Sequence, residues 1–230
     1  SIENPVRTNE VNVNGFVNML FAAKENGVRK FVYASSSSVY GDDETFPKTE
    51  SKTGNLLSPY AVTKRTNEEY AKVFANLYKM EVVGLRYFNV FGPRQTPDGP
   101  YAAVIPKFID ALMHKRSPGI YGDGNNTRDF TYVANVVKAN LLCLEKEGIP
   151  PGIVMNIACG GTISVNDIYS NIAKHLQSDL KPNYLPERPG EIKNSYADIA
   201  LAIQTIGYKP AVTLEEGLKS TVEWFVGQKL

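Results

Sequence analysis

Two long amphipathic segments, each followed by a short apolar run, occupy the first part of the chain. Apolar side chains recur at helical intervals over residues 9–26 and again over residues 60–78, and this spacing predicts two helices. Residues 30–35 and 81–88 follow these segments and are rich in Val, Tyr and Phe, as buried strands are. The order helix, strand, helix, strand predicts right-handed crossovers and a parallel sheet with helices on both faces.

The regular alternation weakens beyond Gly92. Pro and Gly residues between positions 93 and 100 predict a loop, which precedes a helix expected at residues 105–115. We therefore predict a chain of the α/β class in two parts. Residues 1–92 carry the parallel sheet, and residues 93–230 form mainly a smaller, interleaved α/β domain with some segments that return to that sheet.

Local signals mark four segments in the second half of the chain. Residues 154–158 predict a strand. Ser164 is expected to cap a helix that extends to Leu176, and Thr213 begins a capping box for a final helix. Residues 184–191 combine Pro, Gly and charged side chains and predict a turn-rich loop.

Composition and charge exclude several classes of function. The 230 residues are 43% hydrophobic, which is enough for a substantial core, and 25 Lys and Arg residues nearly balance 24 Asp and Glu residues. Without a basic surplus, no binding to nucleic acid or to an acidic membrane surface is expected. The chain has no apolar run long enough to cross a bilayer and does not begin like a signal peptide, so we predict a cytoplasmic protein. Its two Cys and two His residues show no metal-binding spacing.

Tyr60 and Lys64 form the most informative pair in the chain. At positions i and i+4 of a helix, a phenol and an ammonium lie on the same face. A cation beside a phenol favours the phenolate, a base that can take a proton from a sugar hydroxyl. Helix surfaces carry many such neighbours, so the pair needs support from other signals.

A second signal precedes this pair. The strand predicted at residues 30–35 runs into the serines 35–38, which places hydroxyl groups at the carboxyl edge of the sheet, where ligands bind in open α/β folds. A strand-end Ser with a helical Tyr and Lys is the constellation of short-chain dehydrogenases/reductases. The chain resembles their extended branch, the NAD-dependent sugar-nucleotide epimerases and dehydratases, over essentially its whole length. The blocks that carry this resemblance are Asn12-Val-Asn-Gly15, Ser36-Ser-Ser-Val-Tyr-Gly-Asp42, Ser58-Pro-Tyr-Ala-Val-Thr-Lys64, Arg86-Tyr-Phe-Asn-Val-Phe-Gly-Pro93, Thr127-Arg-Asp-Phe130 and Arg188-Pro-Gly-Glu191.

The resemblance implies a Rossmann-like, doubly wound parallel sheet, of which this chain carries the C-terminal part. Residues 1–92 would then belong to an NAD-binding domain, and residues 93–230 mainly to a domain that binds a UDP-sugar. The glycine-rich loop that holds the NAD pyrophosphate in this family has no counterpart in the sequence. We therefore expect the N-terminal NAD-binding segment to be missing and the chain alone to be impaired in catalysis.

Five positions carry over from the family to catalysis and cofactor binding. Ser36 matches the catalytic Ser or Thr, which also contacts the sugar, and Tyr60 matches the general base. Lys64 matches the partner of that base, and both Tyr60 and Lys64 match residues that contact the cofactor, Lys64 at its ribose. Asn12 and Phe88 match positions near the nicotinamide end of NAD.

Other positions carry over to binding of the nucleotide. Asn89, Arg128 and Arg188 match residues that contact the diphosphate, for which planar, permanently charged guanidinium groups are suited. Val104 and Tyr121 lie in segments that match the lining of the uridine pocket. The resemblance thus implies that the partner is a UDP-sugar.

Two further positions concern the sugars. Glu191 stands where the family often has an Asp that contacts the ribose. Ser195 stands at the position that gates the C2 substituent of the hexose, where a small side chain admits an acetamido group. The chain therefore resembles most closely the epimerases that interconvert UDP-N-acetylglucosamine and UDP-N-acetylgalactosamine.

Several alternatives stay open at this point. The chain could act on UDP-glucose or UDP-glucuronate, modify a sugar nucleotide in another way, or bind UDP-sugars without catalysis. A dehydratase would need carboxylates where residues 36–38 are serines. Family members pair through a four-helix bundle, so we expect a homodimer formed by the helices at residues 9–26 and 60–78, unless their Phe side chains all face the sheet.

Overall fold

The computed structural model describes residues 1–98, 103–187 and 193–228. The chain forms two compact units. Unit 1 contains Ser1–Phe88, Val136–Ala158 and Ala197–Lys209, and unit 2 contains Asn89–Asn135, Cys159–Tyr196 and Pro210–Leu230. The first segment of unit 1 thus ends at Phe88, whereas the sequence suggested a boundary at residue 92.

Helices and short strands alternate along the chain. The helices are α1 (Pro5–Asn9), α2 (Gly15–Glu25), α3 (Pro59–Tyr78), α4 (Val104–Met113), α5 (Val133–Glu145), α6 (Val165–His175), α7 (Ala200–Ile206) and α8 (Leu214–Gly227). The strands are β1 (Lys30–Ser36), β2 (Glu81–Tyr87), β3 (Val90–Phe91), β4 (Gly119–Tyr121), β5 (Thr127–Arg128), β6 (Thr131–Tyr132), β7 (Val154–Ile157), β8 (Ile163–Ser164), β9 (Asn183–Leu185) and β10 (Asn194–Ser195). A π-helical turn (Glu10–Asn14) joins α1 to α2, and a 3-10 turn (Ser37–Tyr40) follows β1. Within the described residues, no helix is both long enough and apolar enough to cross a membrane.

Unit 1 is built on a parallel sheet with the strand order β1-β2-β7. Consecutive residues of β2 point to opposite faces: the Arg86 side chain contacts Glu68 of α3, whereas the Tyr87 hydroxyl accepts a hydrogen bond from Asn140 of α5. Helices therefore cover both faces of the sheet, and the predicted α/β class with a parallel sheet is confirmed. The core between α2, α3 and the sheet includes Leu20, Ala23, Tyr33, Ala71, Phe74 and Val82.

The first predicted helix begins earlier and is less regular than its apolar pattern indicates. It begins at Pro5, because the Asn4 side chain accepts a hydrogen bond from the Arg7 N–H and because Pro fits the first helical position. The π turn Glu10–Asn14 then interrupts the α-helical spacing. The pattern at residues 9–26 thus located the helix but not this interruption.

Unit 2 has its own hydrophobic core, to which α4, α6 and α8 contribute. This core includes Phe91, Ile105, Phe108, Ile120, Ile168 and Leu218. Both predicted helix caps are confirmed: Ser164 accepts a hydrogen bond from the Asp167 N–H, and Thr213 forms a reciprocal capping box with Glu216.

The loop predicted at residues 184–191 is partly wrong. Asn183–Leu185 form β9, because their backbone groups pair in parallel with those of Gly119–Tyr121 in β4. Residues 188–191 of the same segment lie outside the described residues. The local sequence pattern also missed α5 and α7.

Candidate active site

Helix α3 presents Tyr60 and Lys64 close to its N-terminus. Ser58 caps the helix by accepting a hydrogen bond from the Ala61 N–H at 3.1 Å, and Pro59 occupies the first helical position. The Lys64 ammonium lies 5.7 Å from the centre of the Tyr60 ring. The helix therefore brings the phenol and the ammonium together on one face.

Lys64 is half-buried and turns its ammonium toward the end of β1. Its Nζ donates a hydrogen bond to the Ala34 carbonyl at 2.9 Å, and burial lowers the pKa of Lys64. Among the described residues, no carboxylate lies close enough to pair with this ammonium. Its other N–H groups suit hydroxyl oxygens, such as those of a ribose.

Ser36 is the last residue of β1 and the cap of the 3-10 turn that follows. Its Oγ accepts a hydrogen bond from the Ser38 N–H at 3.2 Å, so its own O–H can donate to a ligand. The neighbouring strand β2 ends at Tyr87, and the Phe88 ring that follows is fully buried. A cofactor contact at Phe88 would therefore use the main chain, whereas Ser36 offers its side chain at the carboxyl edge of the sheet.

Asn12 lies in the π turn between α1 and α2. Its Nδ2 donates a hydrogen bond to Thr63 Oγ1 at 3.0 Å, and that hydroxyl donates to the Tyr60 carbonyl at 2.8 Å. Single π turns often occur at functional sites. The structure thus ties Asn12 to the turn of α3 that bears Tyr60 and Lys64.

Unit 2 contains a cavity of about 280 Å³. Four predicted substrate-binding residues line it, namely Asn89, Val104, Tyr121 and Arg128. Lys107, on the first turns of α4, lines the same cavity and was missed by the sequence analysis. Apolar side chains complete much of the wall, among them Phe91, Ile105, Phe108, Ile120, Phe130 and Val165. A pocket of mainly apolar lining with a few polar groups is typical of a small-molecule site.

The polar groups of this cavity are held by main-chain contacts. Asn89 adopts a φ of +34°, and its Nδ2 donates a hydrogen bond to the Asp129 carbonyl at 3.0 Å. The Arg128 guanidinium donates to the carbonyls of Thr127 and Lys193 at 2.9 and 3.1 Å. An amide and a guanidinium in one cavity suit the oxygens of a phosphate.

Ser195 lies on β10, paired with Arg128 of β5. The Asp129 N–H donates a hydrogen bond to the Ser195 carbonyl at 2.9 Å, and the Ser195 side chain is half-buried. Ser195 is therefore next to Arg128 in the sheet, although it does not line the 280 Å³ cavity. The other two predicted contacts, Arg188 and Glu191, lie outside the described residues.

Asp129 is a second residue whose role the sequence analysis missed. Its side chain is buried, and its carboxylate accepts hydrogen bonds from the N–H groups of Cys159 and Gly160, both at 2.9 Å. Its main chain bonds to both Asn89 and Ser195. Asp129 belongs to the block 127–130, but contacts to residues this distant in sequence leave no local pattern.

Comparison with known proteins places the chain in a family. Residues 1–158 match the NAD dependent epimerase/dehydratase family. The chain belongs to this family. This epimerase is similar to the UDP-N-acetylglucosamine 4-epimerase of Methanobrevibacter ruminantium M1, solved with UDP-N-acetylmuramic acid, at a TM-score of 0.94 and 44% identity over 99% of this chain and 73% of that one.

Two further relatives carry other sugars in their names. The UDP-glucose 4-epimerase of Thermotoga maritima, solved with UDP-glucose, has a TM-score of 0.94 and 35% identity over all of this chain (100%) and 74% of its own. The UDP-glucuronate 4-epimerase of Thermodesulfobacterium geofontis is 33% identical over 225 residues, which are 97% of this chain and 68% of that protein. The protein is thus a sugar-nucleotide 4-epimerase of Rossmann-like fold with NAD as cofactor and a UDP-sugar as substrate. The predicted family, enzyme class and cofactor are confirmed.

The side chains of unit 1 fit the chemistry of the nicotinamide end of NAD. Lys64 offers charged N–H donors beside a carbonyl and without a carboxylate partner among the described residues. Asn12 adds an amide, which suits a carboxamide. Lys64 and Asn12, together with the Tyr60 side chain and the main chain at Phe88, would therefore hold the cofactor, and NAD supplies reversible hydride transfer when it is bound.

We expect Lys64→Met in the full-length epimerase to weaken NAD binding, because the change removes charged N–H donors that suit the hydroxyl groups of the cofactor's ribose. Calorimetric titration with NAD measures the effect. Lys72→Met, an exposed change on the same helix, is the control. An unchanged affinity for NAD would contradict the cofactor contact of Lys64.

Proposed function

We propose that this epimerase interconverts UDP-N-acetylglucosamine and UDP-N-acetylgalactosamine. The observation that carries the proposal is the small side chain of Ser195, on the strand paired with Arg128. A small residue leaves room for the acetamido group at C2 of the hexose, whereas a bulky one would collide with it. The similarity to a UDP-N-acetylglucosamine 4-epimerase at 44% identity supports the same assignment.

Tyr60 acts as the general base in this proposal. Its side-chain oxygen takes the proton from the C4 hydroxyl, and Ser36 donates a hydrogen bond to the same sugar oxygen. Bound NAD would accept the hydride from C4 and would return it to the opposite face of the 4-keto sugar after that sugar rotates, and Tyr60 gives the proton back to the oxygen. Lys64 keeps its ammonium 5.7 Å from the centre of the Tyr60 ring. The proton on the C4 oxygen and the hydride on C4 both leave and both return, so atoms and charge balance.

The nucleotide is bound by unit 2 in this proposal. Arg128 and Asn89 contact the diphosphate, and Val104 and Tyr121 contact the uridine, because these four residues line one cavity. Lys107 on the same wall adds a second positive charge near the phosphates. For Arg188 the phosphate contact, and for Glu191 the ribose contact, stay predictions from the family resemblance.

A second candidate is a 4-epimerase that acts on UDP-glucose or UDP-glucuronate. The equal TM-score of the Thermotoga maritima UDP-glucose 4-epimerase favours this candidate. A pocket that admits an acetamido group also admits the smaller hydroxyl, so Ser195 does not exclude these substrates. A UDP-sugar-binding module without catalysis would bind UDP but not NAD, and separate titrations distinguish it from an enzyme.

Ser195→Tyr tests the assignment of the substrate. We expect the variant to lose activity on UDP-N-acetylglucosamine while activity on UDP-glucose persists, because the phenol would occupy the space of the acetamido group. Overpacking a fitted pocket typically costs about 1–3 kcal/mol, which is roughly a five- to hundredfold change in discrimination. The ratio of kcat/KM for the two substrates is the measurement. A general loss of stability would lower kcat/KM for both substrates together. An unchanged ratio of the two kcat/KM values would contradict the N-acetylhexosamine assignment.

We also propose that the protein forms a homodimer through one apolar surface of unit 1. The proposed interface, the helical face, is formed by α1, the π turn, α2 and α3, whose exposed apolar side chains include Val6, Val11, Met19, Phe21, Val62, Val73 and Leu77. Val62, Val73 and Leu77 follow the helical period and therefore share one face of α3. Exposed apolar side chains on one helix face favour an interaction site there. Phe16 and Phe74 pack against the core, whereas Phe21 is 52% exposed, so the alternative in which all three rings face the sheet is wrong.

Val73→Glu tests this dimer. We expect the protein to sediment as a dimer at micromolar concentration and the variant to sediment as a monomer, because a carboxylate buried in an apolar interface is strongly unfavourable. Val137→Glu on α5 is the matched control, since Val137 is 52% exposed and Val73 is 50% exposed. A monomeric parent protein, or a variant that stays dimeric, would reject the helical face as the interface.

A further inference from the structure

A buried ionic cluster connects α3 to the sheet of unit 1. The Glu68 carboxylate accepts two hydrogen bonds from Arg86, from Nε and from one terminal nitrogen, each at 2.8 Å. It accepts a third from the Ser35 hydroxyl at 2.5 Å. Ser35, Glu68 and Arg86 are 3%, 4% and 2% exposed. None of the three is among the catalytic or binding residues proposed above.

The charged groups of the cluster each have several partners. Burial alone would lower the pKa of Arg86, but the hydrogen bonds and ion pair with Glu68 raise it overall, so the guanidinium stays charged. Arg86 also donates to the Glu50 carbonyl at 3.3 Å and lies over the Tyr40 ring at 4.9 Å. Arg65 adds a longer contact to Glu68 at 3.4 Å. A bidentate pair of this kind has a narrow range of allowed geometry.

Lys64 contacts β1 in a similar way, one helical turn before Glu68. Lys64 donates to the Ala34 carbonyl, and Glu68 accepts from the Ser35 hydroxyl. Tyr60, Lys64 and Glu68 follow one another at intervals of i+4 and therefore share one face of α3. Ser36 is the next residue of β1. Two consecutive residues of the strand are thus attached to two consecutive turns of the helix, directly before the proposed catalytic hydroxyl.

We propose that Ser35 and Glu68 are positioning residues, which hold the end of β1 against α3 so that the Ser36 hydroxyl stays aligned with Tyr60 and Lys64. Arg86 supports this arrangement by donating one hydrogen bond to each oxygen of the Glu68 carboxylate. Ser35 contacts α3 from within β1, whereas Ser36 is the last residue of the strand and caps the 3-10 turn, which itself packs against α3. The Ser36 hydroxyl therefore lies at the carboxyl edge of the sheet, where a ligand can reach it. The inference rests on the catalytic roles proposed for Ser36, Tyr60 and Lys64.

Removal of the Ser35 hydroxyl tests the proposal with little change in volume. In the NAD-loaded protein, we expect Ser35→Ala to lower kcat by about ten- to hundredfold, since small misplacements of catalytic groups have effects of this size. The KM for the UDP-sugar and the affinity for UDP should change less than about twofold, because the proposed nucleotide ligands lie in unit 2. Ser35→Thr restores the hydroxyl and should recover most of kcat.

Thr66→Ala is the matched control. Thr66 lies on the same helix, and its hydroxyl donates to the Val62 carbonyl within α3 rather than to β1. Hydrogen exchange followed by mass spectrometry supplies a readout that needs no turnover. Amides of residues 34–40 should exchange faster in Ser35→Ala than in the parent protein, and at the parental rate in Thr66→Ala.

The possible outcomes separate this inference from the proposed function. In one outcome, the parent protein fails to interconvert the UDP-sugars while Ser35→Ala still accelerates hydrogen exchange at residues 34–40. That result would contradict the proposed substrate and support the anchoring of β1 by Ser35. A Ser35→Ala protein with parental kcat overturns the positioning role. An equal loss of kcat in Ser35→Ala and Thr66→Ala also overturns it, because the effect would then follow helix stability and not alignment.

Discussion

In the full-length, NAD-loaded protein, Tyr60→Phe is expected to lower kcat by about a hundredfold to ten-thousandfold, the usual contribution of a general base. The variant keeps the ring and loses only the oxygen that exchanges a proton with the C4 hydroxyl. Lys64 keeps its hydrogen bond to the Ala34 carbonyl at 2.9 Å, because this bond does not depend on Tyr60. Steady-state turnover, together with the absorbance of NADH formed on addition of substrate, measures the effect.

Binding of UDP should be unaffected by the same change. The proposed UDP ligands Asn89, Arg128, Val104 and Tyr121 line a cavity of unit 2, whereas Tyr60 belongs to unit 1. Tyr70→Phe, on the same helix and 40% exposed, is the control for the loss of a phenol oxygen. A Tyr60→Phe protein that turns over at the parental rate would remove Tyr60 from the mechanism.

Arg86→Met is expected to lower the free energy of unfolding by about 3–5 kcal/mol, because it leaves the buried Glu68 carboxylate without its main cationic partner. Arg65 is too exposed, at 40%, and too distant, at 3.4 Å, to replace it. Urea denaturation measures the difference. The double variant Arg86→Met with Glu68→Leu should be less destabilised than Arg86→Met, since no unpaired charge then stays in the core.

An exposed ion pair provides the comparison for this large effect. Arg116 contacts Asp110 at 2.7 Å, close to the distance of the Arg86–Glu68 pair, but the Arg116 side chain is 65% exposed. Arg116→Met should therefore cost less than about 1 kcal/mol. Similar losses for Arg86→Met and Arg116→Met would show that burial does not strengthen the Arg86–Glu68 pair.

The sequence indicated most of the features that depend on short stretches of chain. The Thr213–Glu216 capping box and the Ser164 cap involve residues within one helical turn of each other, so their side chains and backbone groups meet as soon as the helix forms. The shared face of Tyr60 and Lys64 follows from the helical period in the same way. The π turn at Glu10–Asn14 was not foreseen, because apolar spacing hardly distinguishes one π turn from α-helix.

The substrate-binding residues of the candidate site were predicted from the family resemblance and not from local spacing. Asn89, Val104, Tyr121 and Arg128 share no spacing, and the resemblance to a family selected them before the cavity that they line was known. Lys107 and Asp129 had no such signal, although Asp129 lies within the matched block 127–130 and Lys107 lies three residues after Val104. Their roles follow from contacts with residues that only the folded chain brings near.

The amino-acid sequence by itself determined the helix caps, the Tyr60–Lys64 pair and the alternation of helices and strands that implies a parallel sheet, because these depend on local periodicity. It also determined the family, because residue identities in short blocks carry that resemblance. The tertiary structure alone decided that Ser35 meets Glu68, 33 residues away, and that Asn12 meets Thr63, 51 residues away. The Ser35–Glu68 contact depends on the packing of α3 against β1, and the Asn12–Thr63 contact on the packing of α3 against the π turn. Such long-range pairing is set by the burial of a common core, which no single segment of the chain encodes.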